Sequence, residues 1–168
     1  MNLWNPDTNY GNSPMLAVRP SYVAAALRFD LSALPAGATI NRAELALYTL
    51  GRSNDQPLTA VAYRMLRAWD ENQITANVAR TGQPWSAPLA NGAGDHDAAA
   101  LAAVSLPATG WATLDITAAA RAWVGAGPQE NFGLLLQATS TGLVQYGIAS
   151  REGWPAGQQP KLTIHYSP

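Results

Sequence analysis

Apolar residues fall at every second position through most of this chain, in short runs separated by Gly, Pro, Asn and Ser. That period is the mark of strands with one buried face. Val23, Ala25, Leu27, Phe29 and Leu31 point one way, with Ala26, Arg28 and Asp30 on the other face. Ala43, Leu45, Leu47 and Thr49 make a second inner face; Thr59, Val61, Tyr63 and Met65 make a third that ends at Trp69. Ala112, Leu114 and Ile116 follow, then Leu134, Leu136 and Ala138, then Val144, Tyr146 and Ile148. Leu162, Ile164 and Tyr166 close the series, and a short strand at residues 15–18 opens it. The pattern predicts an all-β fold: an antiparallel jelly-roll-like sandwich of about nine strands, one module over residues 1–168.

One run breaks the alternation. Residues 118–124, Ala-Ala-Ala-Arg-Ala-Trp-Val, have high helix propensity. Asp115 or Thr117 can cap their first amides and Gly125 can end them. This short helix is expected to plug one end of the sandwich with Ala119 and Trp123. The alanine-rich residues 98–103 suggest a second helical turn. Residues 72–97, rich in Gly, Pro and Asn, read as an excursion with little regular structure.

Composition narrows the function classes. At 168 residues the chain has length for one sizeable core, and no apolar run approaches a membrane span. Only 12% of residues are charged and the net charge is -1, so a nucleic-acid partner is not expected. There is no cysteine, hence no disulfide or thiolate metal site. Residues 1–6 carry neither the basic nor the apolar stretch of a secretion signal, so the chain reads as a mature form or a segment.

Candidate chemistry is sparse. Asp95-His96-Asp97 is the one compact cluster of metal-type side chains; Asp95 and Asp97 would suit Ca²⁺, but a triplet supplies too few ligands and a solvated loop is the competing reading. No cofactor is expected. Asp70-Glu71 reads as a capped corner, and Arg28 and Asp30 share one outward face, where a cross-strand ion pair is expected. The eleven acids form no pair with the spacing of a glycosidase, and no nucleophile motif is present, so the chain reads as a non-enzyme. Trp69, Trp111 and Trp123 sit where core packing is expected. Trp4, Trp85 and Trp154 lie in loops beside Gly or Pro, where an exposed indole can stack on a sugar ring. Trp85 and Trp154, with Arg151 as polar neighbour, are the candidate ligand-binding residues.

Six short motifs follow one another in order: Asn9-Tyr10-Gly11, Leu27-Arg28-Phe29-Asp30, Trp69-Asp70-Glu71, Leu114-Asp115-Ile116-Thr117, Asn131-Phe132-Gly133 and Ala149-Ser150-Arg151-Glu152. In this order they resemble the DNRLRE-type modules of bacterial and archaeal surface proteins, a group that includes a family of carbohydrate-binding modules and the disaggregatase-related repeats. The resemblance implies a jelly-roll-like sandwich, an extracellular or cell-surface setting and no enzymatic role. This chain departs from the pattern in two places. Thr75-Ala76 stands where an aromatic plug is usual, and the first strand is reduced to Asn2-Leu3-Trp4.

Two expectations follow. Glu152 should accept hydrogen bonds from the amides of Asn9, Tyr10 and Gly11, so that this loop and the Ser150–Glu152 turn clasp each other. A shortened first strand should leave an open edge, filled by Asn2, Leu3 and Trp4 of the same or a neighbouring copy. On that basis the leading reading is a building block of a cell-surface layer or fibre, polymerised with copies of itself. The alternative is a module that binds a polysaccharide.

Overall fold

The longest strand, β3 (Thr39–Arg52), organises the first of two sheets, because its inward residues Ala43, Leu45 and Leu47 are all fully buried. In the computed structural model, which describes residues 1–35, 37–126, 130–152 and 157–168, two strands flank it on one side. These are β11 (Lys161–Ser167) on its first half and β10 (Tyr146–Ala149) on its last turns. β8 (Gly110–Asp115) lies on the other side, and β1 (Met15–Val18) pairs with β10 at the rim. The second sheet runs β2 (Ala25–Leu27), β9 (Leu134–Thr139), β4 (Thr59–Arg64), β7 (Ala102–Ser105). All pairings are antiparallel, giving the expected all-β sandwich of five and four strands.

Alternation places the core between the sheets. Leu45, Leu47, Leu114 and Ile148 of the first sheet face Leu134 and Leu136 of the second there, each at most 1% exposed. Helix α1 (Thr117–Ala126) closes one end with Ala119, Ala120 and Trp123. Its start is fixed as the sequence predicts: Asp115 Oδ1 accepts from the Thr117 N–H at 2.9 Å and from its hydroxyl at 2.6 Å.

A second core lies on the outer face of the second sheet, and it changes two expectations. Tyr63 and Met65 pack there, whereas Ala60 and Ala62 enter the sandwich core, so the inner face of β4 is the reverse of the one its large residues suggest. With this sheet covered on both sides, both phases of the alternation are apolar, and the smaller residues face the tighter space. The segment over residues 66–97 is the cover. It contains the short pair β5 (Val78–Arg80) and β6 (Gln83–Pro84) and a single 3-10 turn at Pro88–Ala90. Leu89 and Ala90 take left-handed backbone angles in that turn (φ 64 and 57), which carries the Leu89 side chain inward. The alanine run at 98–103 is not helical: Ala102 begins β7, paired with Ala62. No helix among the described residues is long and apolar enough to cross a membrane.

Candidate functional site

The rim strands β1 and β2 each pair on one side only, with β10 and β9. A groove of about 570 Å³ opens between them. Four of the six motifs line it: Tyr10 and Gly11, then Arg28, Phe29 and Asp30, then Trp69 and Glu71, then Ser150, Arg151 and Glu152. Residues up to 142 positions apart in the chain are thus neighbours on one wall or another of a single depression.

Each motif is positioned by a local device. The Asn9 amide group donates to the carbonyls of Glu71 and Ile74, both at 2.8 Å, while its own oxygen accepts from the Gly11 N–H. Gly11 lies so close to the Glu71 carbonyl that a Cβ would collide with it, which explains the glycine. The Asn131 amide donates to the Phe29 carbonyl at 2.8 Å, and Gly133 turns at φ 79 against the Leu27 carbonyl. Trp69 is anchored by its indole N–H on the Phe132 carbonyl at 2.7 Å. The Arg28 guanidinium lies 5.2 Å above that indole, so the Trp69 face is already covered. Tyr10 is exposed at the groove mouth.

The groove's charges are largely paired within the protein. Arg151 donates to Glu152 at 2.6 Å and to Glu71 at 2.6 Å; its pKa is raised, first by the Glu152 hydrogen bond and then by the field of Glu71. Asp30 accepts from the Ser32 N–H at 2.9 Å, and that bond with the Ser32 hydroxyl holds its pKa below the usual range. Among the described residues neither Arg28 nor Asp30 makes the expected cross-strand ion pair: Arg28 turns onto Trp69 and Asp30 onto Ser32.

The expected clasp between the Asn9-Tyr10-Gly11 loop and the Ser150–Glu152 turn does not form directly; each segment is held by other partners. In the turn, the Ser150 hydroxyl donates to the Ser13 carbonyl at 2.7 Å and its N–H to Pro14 at 3.3 Å. The Asn9-Tyr10-Gly11 loop grips the Glu71–Ile74 turn instead of the amides' expected partner, and the Glu152 carboxylate pairs with Arg151 because an ionised guanidinium outcompetes exposed amides.

Three further expectations are corrected. Trp85 is 6% exposed; its indole sits in the second core and donates to the Thr75 carbonyl at 3.1 Å, so it offers no face to a ligand. It also supplies, from ten residues on, an aromatic group beside Thr75-Ala76. Asp95 is fully buried and accepts from the N–H groups of Ser86, Ala87 and Gly92 and from Arg67. Burial pushes its pKa up, but those donors outweigh burial and leave it below the usual range. Asp97 accepts from Nε and Nη2 of Arg64, at 2.8 and 3.2 Å. Asp95 and Asp97 are thus held by different arginines, and among the described residues no cluster of three or more metal-type side chains is gathered. Last, the amino-terminal segment docks on its own chain. Leu3 donates to the Tyr22 carbonyl at 3.0 Å, Ala24 donates to the Met1 carbonyl at 3.2 Å, and Asn2 bridges Val23. Leu3 packs on the second core and Trp4 stacks on Tyr22 at 5.1 Å. These contacts are made in cis at residues 22–24, just ahead of β2, so the segment packs on its own chain rather than on a neighbour, while the outer edges of β1 and β2 stay unpaired. Trp154 lies outside the described residues.

Sequence reasoning missed two surface features. Trp111 was expected in the core but is 47% exposed, on the outer face of β8, edge-on to Tyr48 across the ladder. Its neighbours Ala112 and Leu114 carry the inward phase, so strict alternation would have placed it outside. Tyr10, read as part of a clasp, is the exposed ring at the groove.

A profile of carbohydrate-binding module family 96 matches residues 2–166. A search of curated proteins finds no match. The chain belongs to carbohydrate-binding module family 96.

Proposed function

We propose that this protein is a non-catalytic module that holds a segment of polysaccharide in the groove between β1 and β2. The observation that carries the reading is the convergence of four separated motifs on that groove, in a chain of a carbohydrate-binding family. The groove offers what a glycan needs. The Tyr10 ring can pack against the apolar face of a pyranose. The free edges of β1 and β2 present backbone donors and acceptors to hydroxyl groups. Arg151, Glu71 and Glu152 form a fixed array of charged hydrogen-bonding groups at the rim.

The same array argues against hydrolysis. Glycosidases set an acid and a base on opposite sides of the scissile bond, whereas Glu71 and Glu152 are both engaged by one guanidinium. Such a module works where polysaccharide is found, outside the cell, and needs no copy of itself to complete the site.

The test is affinity gel electrophoresis against a broad panel of soluble polysaccharides. Tyr10→Ala should lose retention that the parent shows, with an unchanged melting curve, since Tyr10 is exposed. Equal retention of parent and variant contradicts the groove as the site.

A further inference from the structure

Resting on the groove reading above, we infer that the polysaccharide does not end at the groove: it continues onto a second aromatic subsite, Trp4, beyond the end opposite Tyr10. The site then takes an interior stretch of several linked sugars, and a short oligosaccharide fills only part of it.

The path of the chain sets the two ends. The Tyr10 carbonyl accepts from the Ser13 N–H at 3.0 Å and Ser150 bonds to Pro14, so these motifs gather at the Met15 end of β1. From there β1 runs to Val18, and the chain turns back at Arg19 to Val23 into β2. Arg28 and Asp30, which follow β2, thus return to the Tyr10 end, and the turn marks the other. At roughly 3.3 Å of rise per residue, Met15 to Arg19 is about 13 Å, more than one pyranose can bridge. Asn2 and Val23 line the groove at the turn end. Trp4 and Tyr22, close to them in the chain, are exposed and stand just beyond it.

The platform there is fixed and one-sided. Ser21 takes a left-handed angle (φ 63) after Pro20, and the Arg19 carbonyl accepts from the N–H of Tyr22 at 3.2 Å, which closes a tight turn. The Trp4 N–H donates to Asn2 Oδ1 at 2.9 Å and the Leu3 N–H to the Tyr22 carbonyl, so the indole is brought to the same place. Trp4 and Tyr22 lie within 11° of parallel, and the Arg19 guanidinium carbon is 4.8 Å from the Trp4 centroid. That carbon is 5.9 Å from the Tyr22 centroid. Groups touching opposite faces of one indole stand about 7 Å apart, twice a van der Waals spacing. Arg19 and Tyr22 therefore share one side of Trp4. Neither covers its other face, and the residue is 52% exposed.

Such a face can pack on the apolar side of a pyranose, as the Tyr10 ring can. An exposed ring alone does not name its occupant; continuity with the groove does. Trp111 is exposed to a similar degree but lies on β8, across β3 from β10 and β1, and does not line the groove. Two stacking sites on one polymer act together, since a chain held at Tyr10 presents its later sugars to Trp4 at high effective concentration.

The probes are oligosaccharide ladders, dimers to octamers, cut from laminarin, a galactomannan, polygalacturonate and alginate, with binding followed by titration calorimetry on the intact protein. On a ladder that the parent binds, affinity should keep climbing with length after the groove is filled. Trp4→Ala should lose that last climb, several-fold at the longest members. Trp4→Phe should restore much of it, because a flat ring remains, and Trp111→Ala should keep the parent's profile. Melting curves establish that each variant is folded. If Tyr10→Ala weakens binding while Trp4→Ala matches the parent at every length, the inference falls and the groove reading stands. Equal profiles for the parent and Tyr10→Ala, or no binding to any ladder, overturn the groove reading and this inference with it.

Discussion

Between the sheets, Leu45, Leu47, Leu114, Leu134, Leu136 and Ile148 meet from strands whose backbone groups are satisfied by neighbouring strands. On the far side of the second sheet, Trp69, Trp85, Met65 and Leu89 are packed by chain with almost no regular pairing. There the backbone is satisfied by side chains: Asp95 takes the amides of Ser86, Ala87 and Gly92, the Thr75 hydroxyl takes those of Asn77 and Val78, and Asn9 caps two carbonyls. The first core is apolar surface on a ladder that holds itself. The second depends on a few buried polar groups, each with several bonds, and it forms the base from which Trp69 and Glu71 reach the groove.

Removing one such group should therefore do more harm than its size suggests. Asp95→Ala strands three amides and the Arg67 guanidinium, and is expected to cost about 3–5 kcal/mol in urea unfolding. A cost below that of a leucine truncation between the sheets, roughly 2–5 kcal/mol, would break the comparison. The same group sets an acid limit. Its pKa is lower folded than unfolded, so its contribution is complete above the ordinary carboxylate value of about 3.9 and is lost as pH falls through the folded value. Asp95→Asn should flatten that acid-side loss. Trp85→Phe keeps an aromatic ring but drops the bond to the Thr75 carbonyl and part of the buried volume, for an expected loss of at least about 1–3 kcal/mol. Glu152→Gln lies at the other extreme. Its partner Arg151 is exposed and also holds Glu71, so the melting curve should shift by no more than about 1 kcal/mol equivalent. A larger shift would mean that the turn relies on Glu152 as the second core relies on Asp95.

The contrast also separates what was legible in the sequence from what was not. Leu45, Leu47 and Leu114 follow strict alternation because the other face of their strands is exposed or only partly covered, so period two fixes the phase. β4 defeats the same reasoning because both its faces are buried, and size rather than polarity decides which residues go where. Residues 98–103 have the propensity of a helix, yet Leu101 and Ala102 join the ladder of β4, where tertiary pairing outweighs a few tenths of a kcal/mol per residue. Trp85 sits in a Gln-Pro-Trp-Ser stretch with no local mark of burial; its pocket is assembled from Thr75, Leu89 and Arg67. The groove lay between these cases. Its motifs could be named, but not which carboxylate would meet which guanidinium, since that depends on where Glu71 arrives.

The most direct measurement is amide chemical-shift mapping while an oligosaccharide derived from whichever polymer retards the protein is titrated in. Perturbations should gather at Tyr10, Gly11, Arg28, Asp30, Glu71 and Arg151, leaving Trp111 and Tyr48 on the opposite edge of the first sheet unchanged. Shifts centred on Trp111 and Tyr48, or on the exposed Trp4–Tyr22 stack, with the groove silent, would contradict the account.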